Sequence, residues 1–406
     1  MISIKTRFIT FLVLLIIVCT SYFVLGDVVF APTYSEYFFE TPTENSPQAD
    51  DELQEDAPAE LALQNGEDVD NSDDDGDNDY YGDDNSGSDD DSDDDEPVVV
   101  EDNLVSLIIS AAGDTTLGGI VNGTQMFNKE FERQDGDHRY FLRNVSHIFE
   151  EDDLTIVNLE GTLTDATAYA DKTYILRGPP HYAKILSSSG VDVVSLANNH
   201  SKDFFERGYQ DTITSLEEEG IAYFGNEFNT IMEINGIRIG LFGLTLWGGG
   251  KEYERLIAKA IKDLRQRDAQ LIIAYYHWGI ERTYTPERYQ RNLGHFSIDN
   301  GADLVLGSHP HVIQGIEEYN GRFIVYSMGN FSFGANNNPA DHDTFIFQQS
   351  FFFENGVLLD TNDINIIPAF ISSEKGRNNF QPTPADGEEA QRITQRIETY
   401  SSKLNG

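Results

Sequence analysis

A chain of 406 residues with a formal net charge of -43 has room for one or two domains, and its acidity excludes nucleic acid as a partner, because phosphates would be repelled. The charge is uneven: 29 acidic residues and no Lys or Arg fall between Asp27 and Asn103. A single cysteine, Cys19, excludes a disulfide framework.

Lys5 and Arg7 precede the apolar stretch Phe8–Leu25. Its length is at the lower limit for a membrane-spanning helix, and basic residues before it favour an inside N-terminus with the rest exported. A cleaved signal peptide ending near Gly26 is the alternative. Next comes Asp73–Glu96, where Asp alternates with Ser, Gly and Asn. Such a stretch buries too little apolar surface to offset the entropy of ordering and is expected to be disordered. The expected organisation is therefore an anchor or signal peptide at 1–26 and an acidic spacer at 27–103. A folded domain follows at 104–370, then a polar C-terminal tail at 371–406, helical or frayed.

From Leu104 onward apolar runs alternate with helical patterns. Helices are predicted at Tyr140–Glu150, Pro180–Ser189, Tyr209–Glu219, Glu252–Arg267 and Pro286–Asn300. Asn235-Gly236 and Asn320-Gly321 predict hairpins, and Thr344–Phe353 and Gly356–Ile367 read as late strands. Strands alternating with helices imply an α/β domain.

Five apolar runs end in polar clusters. Ser106–Ala112 leads to Asp114, Leu154–Val157 to Glu160, and Val191–Leu196 to Asn199 and His200. Leu271–Tyr276 leads to His277, and Leu304–Leu306 to His309 and His311. Ligands of open α/β sheets gather outside the carboxyl ends of the strands. Five such ends carrying carboxylate, amide and imidazole groups predict one shared site suited to metal.

Six motifs then occur in order: Gly113-Asp114-Thr115-Thr116-Leu117-Gly118, Asn158-Leu159-Glu160, Ala197 through Asp203, His277 through Glu281, Gly307 through Gln314, and Tyr326 through Phe331. This set resembles the CapA-type family of capsule, or poly-γ-glutamate, biosynthesis proteins, which is similar to calcineurin-like metallophosphoesterases. The resemblance implies a four-layer α/β/β/α sandwich with a metal site at the strand ends. It implies two divalent ions (Mn, Fe or Zn), with Asp114 and His311 on the first, Asn199, His277 and His309 on the second, and Glu160 bridging. His200 would be the catalytic proton donor. Asp203 and Glu281 would orient imidazoles, and Arg177 and Asn330 are candidate substrate contacts. Thr116 stands where ordinary phosphoesterases carry histidine, and Phe205 where the family often has glycine, which predicts a differently shaped loop.

The function expected from this resemblance is support of poly-γ-glutamate synthesis or export at the cell membrane, by an extracellular domain working beside a membrane polyglutamate synthase complex. The substrate would be an anionic polymer or a phosphate-containing molecule. Two alternatives stay open: an extracellular metallophosphoesterase acting on nucleotides or cell-wall phosphates, and a non-catalytic polymer-binding member.

Overall fold

Strands buried on both faces carry near-continuous apolar runs, and Leu271–Tyr276 and Leu304–Leu306 read that way. The computed structural model describes residues 103–360 and 363–404; the expected anchor or signal peptide and nearly all of the expected acidic spacer lie outside them. The principal strands are β1 (Leu104–Thr116), β2 (Leu154–Leu159), β3 (Val193–Ser195), β4 (Ala222–Phe224), β5 (Thr230–Ile234), β6 (Ile237–Leu246) and β7 (Leu271–Trp278). They continue with β8 (Leu304–Ser308), β9 (Ile316–Tyr319), β10 (Arg322–Val325), β11 (Asn330–Phe333), β12 (Asp343–Glu354) and β13 (Asp363–Phe370). The helices are α1 (Met126–Arg133), α2 (Ser146–Glu151), α3 (Ala183–Ser187), α4 (Phe205–Glu218), α5 (Lys251–Gln266), α6 (Arg288–Asp299) and α7 (Gly387–Ser401).

One sheet runs β13-β12-β1-β2-β3-β4, with Thr383–Pro384 beyond β13, β11 parallel to the end of β1, and Val357–Leu358 on β12. The second runs β9-β10-β8-β7-β6-β5. β1 to β4 are mutually parallel, as are β6, β7, β8 and β10. Alternation along each strand divides its side chains between two layers. In β7, Leu271, Ile273 and Tyr275 join Ile109, Ile156 and Leu306 in a core between the sheets, while Ile272, Ala274, Tyr276 and Trp278 meet Ile257, Ile261 and Leu264 of α5. Val157 and Leu159 of β2 meet Ile185, Leu186, Ile213 and Leu216 of α3 and α4. The fold is thus the expected four-layer α/β/β/α sandwich. A buried hydrogen bond from Tyr275 Oη to the Ala112 carbonyl, 2.9 Å, crosses the inner core and joins the two sheets.

Both expected Asn-Gly hairpins form. Asn235 and Gly236 have φ of 51° and 82°, and Asn320 and Gly321 49° and 72°, the double left-handed conformation that matches strand twist. Asn355-Gly356 makes a third such turn, joining β12 to Val357–Leu358. The helix expected at Tyr140–Glu150 is divided into a short 3-10 turn at His138–Tyr140 and α2. Near the C-terminus, α7 buries Ile393 and Ile397 in the inter-sheet core, and Arg392 and Arg396 pair with Asp341 and Asp343.

Asp152, at the loop into β2, has its carboxyl pushed up to about 6 by burial and by the nearby Asp192 and Asp153 charges. The folded chain therefore holds an extra proton between the ordinary 3.8 and about 6, and stability falls as pH rises through that window. Asp152→Asn is expected to stabilise the protein by about 1–2 kcal/mol at pH 7.5, a shift discounted for partial exposure. The gain should disappear at pH ~2.5, where both forms are neutral. Urea unfolding at the two pH values checks this; an equal gain at both would exclude the ionisation account.

Candidate metal centre

The inner-face rows of several strands run directly into polar residues. Leu154 and Ile156 are followed on their face by Asn158; Leu271, Ile273 and Tyr275 by His277; Leu304 and Leu306 by Ser308. Each polar group comes at the carboxyl end of its strand, and both sheets contribute. In β1 the pairing with β2 shifts register between Ala112 and Asp114. There β1 approaches the chain before β11 so closely that Asp114 N–H donates to the Gly329 carbonyl at 2.9 Å.

Asp114 is fully buried. Its Oδ1 accepts from Asn158 Nδ2 at 2.8 Å, and its Oδ2 accepts the His309 amide at 3.2 Å and lies 3.0 Å from His311 Nδ1. Burial works against its ionisation, but His311, Asn158 and His309 together hold the carboxyl below its ordinary range. Glu160 is equally buried, and neither carboxylate oxygen has a hydrogen-bond partner. Oε1 lies 3.7 Å from His277 Nε2 and 3.8 Å from His311 Nε2. Burial first, then the Asp114, Glu281 and Asp203 charges, push Glu160 up to about 8 against the pull of His311. A buried carboxylate lacking donors is costly unless a cation supplies the missing charge.

The imidazoles are arranged around it. His277 Nε2 lies 2.8 Å from Asn199 Oδ1 and 3.0 Å from His309 Nδ1, and its Nδ1 lies 3.1 Å from Ser308 Oγ. Burial and the neighbouring imidazoles hold His277 well below its ordinary range and His309 at about 4, so both are neutral. His311 is pushed up to about 10: burial opposes its charge, but Glu160 and Asp114 outweigh it. His309 and His311 have φ of 96° and 58°. That left-handed backbone on either side of Pro310 is rare for residues with a Cβ and is characteristic of functional sites.

Three groups present ligand atoms within 4.8 Å of one another: Asp114, Glu160 and His311; Glu160, His277 and His309; and Glu281, His309 and His311. Glu160 belongs to the first two. The donor set and the two orphaned oxygens fit divalent-metal binding at this carboxylate.

The remaining expected residues fall in different places. His200 lines the adjoining cleft, with Nδ1 held at 2.7 Å by Asp203 Oδ2. Asp203 is buried; it also accepts from Leu176 N–H at 2.7 Å and Lys172 Nζ at 2.6 Å. Asn330 holds His311 from two sides: its Oδ1 lies 3.0 Å from Nδ1, and its Nδ2 donates to the His311 carbonyl at 3.2 Å. It lines the cleft as well. Arg177 does not line it; its guanidinium donates to the Ala166 carbonyl at 2.9 Å and lies over the Phe204 ring. The cleft has a volume of about 780 Å³ and is lined by Glu160, His200 and His311 and by a wall segment at Asn336–Asp341.

Sequence reasoning did not single out Asn158, Asn198, Ser308 or Trp247. Asn198 Nδ2 donates to Asn158 Oδ1 at 3.1 Å, and its Oδ1 accepts from His200 N–H at 3.0 Å, linking two motifs. Trp247, 51% exposed, stands edge-on to His309 with ring centroids 4.9 Å apart. The presence of Asn158 and Asn198 inside the recognised motifs was the available signal; nothing in the sequence marks Trp247.

The family described as Bacterial capsule synthesis protein PGA_cap matches residues 108–335. The capsule biosynthesis protein CapA of Bacillus anthracis is 31% identical over 246 residues, 54% of this chain and 59% of that protein. The PGA biosynthesis protein CapA of Bacillus subtilis (strain 168) is 29% identical over 248 residues, 56% and 63% of the two chains. A probable polyglutamine synthesis accessory protein of Mycobacterium tuberculosis is 27% identical over 249 residues, 54% and 64%. The similarity spans about three fifths of the length of these curated relatives. The family match includes every candidate ligand and stops short of the cleft wall at Asn336–Asp341.

Proposed function

Since the chain belongs to the bacterial capsule synthesis protein family, we propose that it supports synthesis or export of poly-γ-glutamate through a metal-dependent, hydrolase-like site. The names of its relatives support the polymer: two are capsule or PGA biosynthesis proteins, and a third is a probable polyglutamine synthesis accessory protein. In this reading the domain is extracellular, held to the membrane by residues 1–26 with the acidic segment as tether, and works beside a membrane polyglutamate synthase complex.

The observation that carries the reading is Glu160, buried, without a hydrogen-bond partner and common to two ligand groups. Asp114 and His311 would hold one divalent ion, and Asn199, His277 and His309 the other. A bound pair supplies Lewis-acid polarisation of a phosphoryl or acyl centre and activation of water. The chain's own groups do the rest. Asp203 fixes the His200 ring through Nδ1, which leaves Nε2 for proton transfer to a leaving group. Lys172 neutralises the other oxygen of Asp203, and Asn330 fixes the His311 ring.

The test is metal analysis of the purified full chain together with turnover of poly-γ-glutamate and of a phosphodiester probe. Cleavage of polymer by metal-loaded protein supports the proposal. Turnover of the phosphodiester alone favours a general phosphoesterase, and polymer binding that survives metal removal without any turnover favours a binding role. Asp203→Asn is expected to cost about 10–100-fold in turnover with metal content unchanged, because it loosens an orienting partner rather than a ligand. Loss of metal in that variant would place Asp203 in the metal site instead.

A further inference from the structure

Arg282 is the one arginine or lysine among the described residues lining the cleft. Its guanidinium has no ion pair or hydrogen bond among the described residues, whereas Arg177, Lys172 and Arg396 are all engaged elsewhere. It adjoins Glu281, which groups with His309 and His311. Its backbone is held firmly. Arg282 N–H donates to the Pro310 carbonyl at 2.8 Å, Thr283 N–H to the Ile280 carbonyl at 3.2 Å, and the buried Gln314 side chain to the Thr283 carbonyl at 2.6 Å. Arg282 itself has φ of 61°, a conformation disfavoured for any residue with a Cβ. A strained, braced backbone presenting an unpaired guanidinium beside candidate ligands is the signature of a recognition residue.

The rest of the cleft indicates what the guanidinium meets. Gln125, Asn336, Asn337 and Asn338 also line the cleft, and none belongs to a candidate metal group. They offer amide donors and acceptors but no further positive charge. We propose that Arg282 forms a carboxylate subsite, separate from the metal ligands, that holds a side-group carboxylate of an amide-linked anionic chain while a neighbouring link lies at Glu160 and His200. This rests on the reading of the site as one for poly-γ-glutamate and names the residue that selects charge. Arginine suits the role because its planar fork pairs with a carboxylate through two parallel hydrogen bonds. The subsite takes the place expected for Arg177.

The experiment measures binding of a synthetic ten-residue oligo-γ-glutamate, its methyl ester and inorganic phosphate to the full chain in detergent with Mn²⁺ present. Wild type, Arg282→Met, Arg282→Lys and Arg288→Met are compared, with bound Mn²⁺ determined for each. Arg282→Met is expected to weaken the oligomer by about tenfold or more. Arg282→Lys should retain part of that affinity, and the exposed Arg288→Met all of it, with Mn²⁺ content equal throughout. The methyl ester should bind wild type no better than the acid binds Arg282→Met. Oligomer affinity within twofold of wild type in Arg282→Met overturns the subsite alone. A tenfold loss of phosphate binding with the oligomer unaffected overturns the carboxylate assignment. A wild-type protein that binds no oligomer overturns the subsite together with the polymer reading it rests on.

Discussion

Glu160→Gln is expected to empty the metal centre without unfolding the protein. The glutamine keeps the volume of the side chain but removes the charge common to the Asp114–His311 and His277–His309 groups. Losing a partner that merely orients a ligand typically costs 10–100-fold in metal affinity; losing a shared ligand should cost at least ~100-fold at both positions, and turnover of the order of 10³-fold. The metal-free variant should melt no lower than metal-free wild type, because the Glu160 carboxylate accepts no hydrogen bond and its burial cost outweighs the attraction of His311. Elemental analysis after dialysis, with a thermal melt on the same sample, separates the two effects. Two ions per chain retained by Glu160→Gln would exclude a bridging carboxylate.

The second large effect lies beside the first ligand and acts through the backbone. A Cβ on Gly113 would come 1.9 Å from the Gly329 carbonyl oxygen and 3.0 Å from its carbon. No side-chain rearrangement relieves a clash with main chain, so β1 and the turn before β11 must separate. Gly113→Ala is expected to destabilise the protein by more than about 3 kcal/mol. The Asp114 N–H bond to Gly329 would be lost with it, so metal content should fall too. Urea unfolding measures the first and elemental analysis the second. A loss below ~1 kcal/mol would mean that the two segments separate easily.

Most of the centre was legible because a strand that is apolar at every position and then turns polar announces both its burial and its end. Asp114, Glu160, Asn199, His277, His309 and His311 all follow such runs, and the structure gathers them from both sheets. The hydrogen-bonding residues among them were not legible. Asn158 and Ser308 sit on strands, where a small polar residue reads as an ordinary strand end until its partner is known. Arg177 illustrates the opposite error. An arginine beside a Gly-Pro-Pro turn suggests an exposed charge, but a local carbonyl and an aromatic face engage it. Helix α1 was missed because it begins at Gln125 in a left-handed conformation without a side-chain cap, so the usual starting signal is absent. At Phe205 the chain adopts φ of 54°, the conformation that the more usual glycine takes freely.

The clamp between α7 and the cleft wall has a consequence for how the molecule is made. Asp341 faces the cleft, yet Arg396, more than fifty positions later, is what fastens it, and Ile393 and Ile397 seal the seam between the sheets. A domain generally folds as a unit during synthesis. A nascent chain can therefore have every candidate ligand in hand while its cleft still lacks a fixed mouth, and assembly of the site is completed only after Arg396 and its flanking isoleucines have emerged.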